Sequence, residues 1–421
     1  MSRRDNISLW LASRLSLTPQ GGGTSPGVAV AVIAVALSVC VMILSIAIVM
    51  GFKRQITAKV TGFEQQITVE ADRSGFFSGE YVNEGIRLTP ALDAAIRSAL
   101  PSGATVNLTI RQPAILKTDS DFQGVVMKGI TSGGADEAFL NPQVTAGGLF
   151  CADSLNTIAI SRNTADALGL APGDRIYTHY LVGENLLTRR PVVTTVYDTH
   201  FSEYDRLICY APIAMLQTML HTDSITATAI EINGLDDAEV DAAVDELRVA
   251  LARYAGEHGE QLRYRVTGVH ESGALYFSWL SLIDTNVVVI LTLMACVAGF
   301  TLIASLLVII LQRIPTIGLL KAMGADDGML RRTFVAIAAR LAVVGILAGN
   351  AVALALLLVQ QRWHVVHLNP DAYYLNYVPV HISVPAILGL DLAVAVLCLL
   401  LLTLPSRMIA RLNPAATMRY E

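Results

Sequence analysis

Gly27–Phe52 reads GVAVAVIAVALSVCVMILSIAIVMGF, and no charged side chain interrupts the chain between Arg14 and Lys53. A helix needs roughly 20 apolar residues to cross the hydrocarbon layer of a bilayer, and this run is long enough. Arg3, Arg4 and Arg14 precede it, as basic residues precede a secretory signal. The apolar core of a signal is only about 7–15 residues and ends at a small-residue cleavage site. This stretch is far longer and ends in Val49-Met50-Gly51-Phe52-Lys53. It predicts a retained membrane anchor.

Further along, Thr285–Leu311, Leu341–Gln360 and Ala386–Leu404 repeat the pattern, the last being shorter and carrying Asp391. The 421-residue chain is 53% hydrophobic and 15% charged, whereas a soluble domain carries about 25% charged residues. The shortfall lies in the apolar runs, since residues 53–284 have an ordinary soluble composition. The expected fold class is an α-helical membrane protein with four transmembrane helices. A large α+β extracytoplasmic domain is inserted between helices one and two. Orientation follows from Lys and Arg near the span ends. Arg3, Arg4 and Arg14 lie before the first span, Arg313, Lys321, Arg331 and Arg332 between the second and third, and Arg407, Arg411 and Arg419 after the fourth. The connection between spans three and four has only Arg362. Both termini are therefore expected in the cytoplasm and residues 53–280 outside it. The net charge of -5 gives no reason to invoke nucleic acid.

The expected segments are a cytoplasmic amphipathic arm (1–26), a first span (27–52), an outer domain (53–279) and a second span (280–311). A cytoplasmic segment (312–332), a third span (333–361), an outer loop (362–384), a fourth span (385–404) and a cytoplasmic tail (405–421) complete the chain. In the arm, Ile7, Trp10, Leu11 and Leu15 recur at helical spacing, which predicts a helix lying on the inner membrane surface. In the outer domain, Gln66–Glu70, Val106–Ile110, Val125–Gly129 and Thr157–Ile160 read as strands. Leu88–Leu100 reads as a helix capped by Thr89 with Pro90 in its first turn, and Ser161–Leu168 as another closed by Gly169. A strand pair is expected from Arg175–Leu181 and Pro191–Asp198, joined through Gly183-Glu184-Asn185. Thr226–Ile232, the helix Asp237–Tyr254 and Gln261–Thr267 suggest a split βαβ unit.

No nucleotide-cradling G-x-x-x-x-G-K-[ST], no G-x-S-x-G and no H-E-x-x-H occurs. No catalytic set, cofactor site or metal site is therefore expected on this chain. His364 and His367, one turn apart with His381 nearby, read as interfacial histidines, because a metal would need a further ligand and a supporting shell. Asp119, Asp121, Asp136 and Glu137 read as solvated loop acids. Arg340 and Asp391 lie near span ends, where a long side chain can snorkel or an acid reach headgroups. Cys40, Cys296 and Cys398 fall in spans. For Cys151 and Cys209, in the outer domain, a disulfide and a place in the core are both open.

The most informative cytoplasmic stretch is Leu311–Ala325, LQRIPTIGLLKAMGA. Pro315 ends the membrane helix, a short helical piece containing Ile317, Leu320 and Ala322 follows, Gly324 stops it, and Asp326 caps the next helix. A two-turn apolar helix held at the membrane surface makes a poor enzyme but a good knob for a partner's groove.

Residues 317–325 resemble the cytoplasmic coupling segment of the FtsX/MacB/LolC-LolE permeases. The resemblance continues through Gly51-Phe52-Lys53, Gly62-Phe63-Glu64, Asp198–Leu220 with Phe201-Ser202-Glu203-Tyr204-Asp205, and Leu280-Ser281-Leu282-Ile283-Asp284-Thr285-Asn286. It ends in Asn369-Pro370-Asp371-Ala372-Tyr373-Tyr374, Val378-Pro379-Val380 and the tail from Pro405 to Glu421. The order of these motifs is most similar to lipoprotein-releasing permeases of the Bacteroidetes type. Gln312, Pro315 and Thr316 depart from the family pattern. So does Tyr180–Pro191, which is short and lacks internal prolines where LolC carries a hook that recruits its periplasmic carrier.

The resemblance implies a non-catalytic transmembrane subunit in the bacterial inner membrane. It implies a cytoplasmic ABC ATPase dimer that holds ATP and Mg, a second permease subunit (self or paralogue), membrane lipids and a lipoprotein substrate. A LolA-like periplasmic carrier is a further implied partner. It assigns ATPase coupling to Ile317, Gly318, Leu319, Leu320, Lys321, Ala322 and Gly324. It makes Val182, Gly183, Glu184 and Asn185 the candidate carrier or substrate contact. An FtsX-like activator of cell-wall hydrolases stays open, though the outer domain is large for it. A MacB-like exporter also stays open, though no ATPase precedes the first span here. A membrane-anchored enzyme or sensor is set against the missing catalytic set.

Overall fold

The computed structural model describes residues 26–71, 85–182, 185–258 and 264–406. The amphipathic arm before Pro26 and the tail beyond Ser406 lie outside them. The described residues divide into two compact units, one of 54–279 and 368–376, the other of 26–53, 280–367 and 377–406.

The first helix, α1, spans Pro26–Glu64 and so continues beyond Phe52. Ile56, Val60 and Phe63 follow its apolar run at helical spacing and are buried, which keeps the extension helical. Gln65, at φ 63°, ends it in the left-handed region. The α+β unit then proceeds through β1 (Ile67–Ala71), β2 (Ile86–Arg87), α2 (Pro90–Ser98), β3 (Thr105–Lys117), β4 (Phe122–Ile130), α3 (Ala135–Leu140), β5 (Val144–Gly147), β6 (Thr157–Ser161) and α4 (Arg162–Leu168). It continues with β7 (Tyr177–Val182), β8 (Asn185–Arg189), β9 (Val192–Tyr197), α5 (Ser202–Leu207), β10 (Ile208–Pro212) and α6 (Ile213–Leu220). The last elements are β11 (Thr226–Ala227), β12 (Ala229–Asn233), α7 (Val240–His258) and β13 (Tyr264–Gly268).

Among the described residues one sheet runs in the order β13-β1-β12-β3-β4-β10-β6-β9-β5, with β7 and β8 branching from β3. β12, α7 and β13 form the split βαβ unit, because β1 lies antiparallel between the two strands. The long β3 unites the halves: Thr105–Thr109 pairs with β12, and Ile110–Lys117 with β4. Alternation along β3 and β4 puts Ile110, Leu116, Val125 and Met127 into an apolar core with Leu216 and Met219 of α6. Caps behave as their chemistry dictates. The Thr89 side chain accepts from Leu92 N, Ser161 accepts from Thr164 N, and Gly169 is left-handed at φ 65°.

Three strand expectations need correction. Of the expected pair Arg175–Leu181 and Pro191–Asp198, Arg175 bridges Val192 antiparallel, but Tyr177–Val182 pairs with Asn185–Arg189 instead. The strand after Pro191, β9, lies parallel to β6 and antiparallel to β5. The run Thr226–Ile232 is two strands broken at Thr228, whose hydroxyl accepts from Arg111 N at 2.8 Å. Cys151 is exposed and Cys209 buried, both as free thiols, and burial pushes the Cys209 thiol up to about 12.

In the other unit the apolar part of α1 is joined by α8 (Ala274–Gln312), α9 (Ile314–Ala322), α10 (Asp327–Trp363) and α11 (Val384–Ser406). Each of α1, α8, α10 and α11 is long and apolar enough to cross a membrane. Their shared core contains Val39 and Ile43 from α1, Leu302 and Leu306 from α8, Phe334 and Ile337 from α10, and Val394 from α11. The third apolar helix begins at Asp327, directly after Asp326. Asp326 sits at its N-cap position, yet its carboxylate makes no capping hydrogen bond. Asp391 is met from α10 by Asn350, whose amide donates to both its oxygens at 2.9 and 3.1 Å. Arg340 is exposed.

Candidate coupling and relay sites

Pro315 stands in the first turn of α9, where its missing N–H is no loss. The helix closes through Met323 N to Leu319 O, Gly324 N to Lys321 O and Ala325 N to Leu320 O. Gly324, at φ 93°, makes the exit turn with open space around it. The helix and its C-cap residue Met323 divide by face. Ile317 and Gly318 are buried, and Leu320 packs against the helical core. Pro315, Leu319, Ala322 and Met323 face outward, Leu319 being 60% and Met323 68% exposed. Ile317, Leu320 and Ala322 therefore do not lie on one surface. Lys321 is tied to Asp327 at 2.8 Å, which pins the two ends of the exit turn.

The α+β unit holds a second cluster, beneath the end of α1. Lys128 on β4 is 1% exposed, with Nζ 2.6 Å from Asp136 Oδ1 and 3.0 Å from Glu231 Oε1. The same ammonium donates to Phe63 O, and Gln65 Nε2 donates to Asp136 Oδ1 at 2.7 Å. Arg111 on β3 reaches Glu231 at 3.0 Å and Glu64 at 3.6 Å. Asp136 is thus a buried ion-pair partner, not a solvated loop acid, and burial raises its carboxyl pKa. Two cations, three acids and a backbone carbonyl hold the helix end against the sheet.

Beside this cluster is an aromatic one. Phe63 stacks on Tyr204 with centroids 4.7 Å apart and meets Phe139 edge-on at 5.1 Å. A Cβ on Gly62 would stand 2.3 Å from the Phe139 ring, so the approach requires glycine. Phe201 lies at the centre, 5.0 Å from Tyr204, 5.1 Å from Tyr276 and 4.5 Å from Tyr374. Glu203 accepts the hydroxyls of Tyr276 and Tyr374. Asp205 accepts from Thr199 Oγ1 at 2.7 Å, and its burial raises its pKa to about 6.

Gly62-Phe63-Glu64 and Phe201–Asp205, remote in sequence, are therefore one packed hub. A family description, the MacB-like periplasmic core domain, matches residues 28–250, more than half of the chain. The FtsX-like permease C-terminal family matches 288–414. The chain belongs to the FtsX/MacB family of ABC-transporter permeases.

Among curated relatives, this permease is 22% identical over 408 residues to "Lipoprotein-releasing system transmembrane protein LolC" of Xylella fastidiosa strain 9a5c, covering 93% of each chain. The protein of the same name from strain Temecula1 matches at the same identity and coverage. The periplasmic region of MacB from Actinobacillus actinomycetemcomitans aligns at 13% identity and a TM-score of 0.35, over 52% of this chain and 95% of that one. The extracellular domain of the YknZ transporter from Gram-positive bacteria aligns at 16% and 0.32, over 48% and 100%.

In this permease the hairpin positions fall where β7 ends and β8 begins. Val182 is half-buried opposite the exposed Asn185, while Gly183 and Glu184 lie outside the described residues. The neighbouring pair Leu181 and Leu186, opposite each other in the ladder, are each 59% exposed. His367 bridges Tyr377 antiparallel. His364 is the left-handed cap of α10 and packs on Tyr377, whereas His381 N donates to Ala47 O. Among the described residues no three His, Cys, Asp or Glu are grouped to hold a metal. Sequence reasoning missed Lys59, Lys128 and Glu231; only the charge of each was visible, with no local pattern to pair them.

Proposed function

We propose that this chain is the permease subunit of an ABC system that releases lipoproteins from the bacterial inner membrane for outer-membrane sorting. The observation that carries this reading is the match to LolC proteins over 93% of both chains. The α+β domain, inserted between spans one and two, stands outside the cytoplasm, and both termini stand inside it, as the Lys and Arg distribution favours. ATP and Mg belong to a partner ATPase dimer beneath α9 and its counterpart in a second permease subunit. The outward stripe of Leu319, Ala322 and Met323 offers that ATPase an apolar ridge, and Gly324 lets the chain turn sharply away from it. Hydrolysis moves the helices, and the hub beneath α1 passes the movement into the sheet. The hairpin around Val182 and Asn185 is the contact for substrate or a LolA-like carrier. Depletion of the protein tests the reading: outer-membrane lipoproteins should accumulate in the inner membrane. Normal sorting with defective septal wall cleavage would overturn it in favour of an FtsX-like activator.

A further inference from the structure

Residues 368–376 lie in sequence between the third and fourth apolar helices, yet they pack as part of the α+β unit. The segment is a closed loop, with Leu368 N donating to Asn376 O at 2.9 Å and Tyr374 N to Pro370 O at 2.8 Å. Tyr374 takes the left-handed conformation, φ 58°, uncommon for an aromatic residue. Its backbone carbonyl accepts from Lys59 Nζ at 2.6 Å, and its ring lies on Phe201 at 4.5 Å. Lys59 also donates to Thr199 O at 2.5 Å. One ammonium on α1 thus fastens two carbonyls from segments remote in sequence. Burial lowers the Lys59 pKa to about 8, with Asp205 and Asp198 opposing that shift, so it remains largely protonated at neutral pH.

We infer that Lys59 and Tyr374 form a clasp that fixes the 368–376 loop to the α+β domain, so that displacement of the third and fourth apolar helices is delivered to that domain. Both residues are positioning residues. This rests on the ATP-driven reading above. The ends of the loop continue into those helices, so a fastened loop adds two attachments to those made by α1 and α8. Without the clasp, motion of the third and fourth helices would be absorbed in the loop.

The test uses the full-length permease in native membranes with its co-purified ATPase. A photo-crosslinking residue placed at 374 should give an intramolecular adduct within 199–206, read by mass spectrometry. Lys59→Met, which loses a charged donor's hydrogen bond, and Tyr374→Ala, which loses the ring contact with Phe201, should each leave ATP hydrolysis intact while lipoprotein release falls by about tenfold. Lys59→Arg, which keeps a cation and donors, should restore most of it. Absence of the adduct would overturn the clasp. So would full release by both variants despite a formed adduct, which would leave a docked loop that carries no motion. If Lys59→Met fails to accumulate, Tyr374→Ala tests the other half of the clasp, because it removes the ring from Phe201 while keeping the carbonyl that Lys59 holds. The adduct does not depend on substrate identity, so its presence alongside normal sorting in depleted cells would retain the docked loop and sink only the lipoprotein reading.

Discussion

Gly345 on α10 faces Val35 on α1 so closely that a Cβ added to the glycine would stand 2.8 Å from the valine Cβ. One turn along, a Cβ on Gly349 would stand 2.6 Å from Ala36 O. Gly345-x-x-x-Gly349 is therefore a small-residue seam that lets the two backbones approach, the usual means of helix association where both surroundings are apolar. Gly349→Val should destabilise the permease in detergent by about 1–3 kcal/mol, the scale of overpacking, seen as a lowered unfolding temperature. Gly389→Ala, with open space around it, should be silent. Equal behaviour of the two variants would count against the seam.

The faces of α9 separate two classes of substitution. Leu319→Asp and Met323→Asp, on the exposed side, should abolish ATPase co-purification while leaving membrane accumulation unchanged. Leu320→Asp should also reduce accumulation, because Leu320 packs against the helical core. Gly324→Val should strain the turn by roughly 1–2 kcal/mol, since φ 93° excludes a β-branched residue without distortion. Retained ATPase binding by the Leu319 and Met323 variants would move the docking surface elsewhere.

A fragment of residues 54–279 should fold by itself, because its core is built from its own strands and helices. In that fragment Lys128→Met should cost about 3–5 kcal/mol in urea unfolding, since it leaves buried Asp136 and Glu231 without their shared cation. Adding Asp136→Asn should recover part of the loss. A single variant within error of wild type would show that water already serves these groups.

The stability of the same fragment should fall as pH rises from about 4 to 6. The Asp205 carboxyl goes from 3.8 in the unfolded chain to about 6 when buried, so unfolding in that window releases a proton. Its contribution is fully present below 3.8 and lost above about 6, and two pKa units correspond to about 3 kcal/mol. Asp205→Asn should flatten this part of the profile. Thermal melts across the window, with an unchanged slope in the variant, would assign it to other carboxyls.

Much of this architecture was legible because its signals are local. An uncharged run such as Gly27–Phe52 can satisfy its backbone only as a helix, and Thr89-Pro90 or Ser161 with Gly169 announce their caps within a turn. Pairing was harder. Nothing in Arg175–Asp198 states that β8 rather than β9 completes the hairpin, because β9 finds its partners, β5 and β6, earlier in the chain. Asp136 resembled its neighbours Asp119 and Asp121 until Lys128 was brought beneath it. Leu319 and Leu320 are indistinguishable in a nearly all-apolar two-turn helix, so no polar residue marks its outer face. The Gly345-x-x-x-Gly349 spacing is visible in the sequence, but its partner on α1 is not. The Lys59–Tyr374 bond joins residues 315 positions apart and had no local trace.

β1 follows α1 after only Gln65 and Gln66, and it is hydrogen-bonded along both edges, to β12 and to β13. A pull transmitted from the helix end therefore acts along the strand and loads both ladders in shear. In shear the inter-strand bonds resist together, whereas peeling would break them one at a time. Gln66 adds a pin at the point of entry, its side chain donating to Leu235 O and accepting from Leu235 N. Under tension at that end the domain should therefore travel as a piece rather than unravel from its first strand.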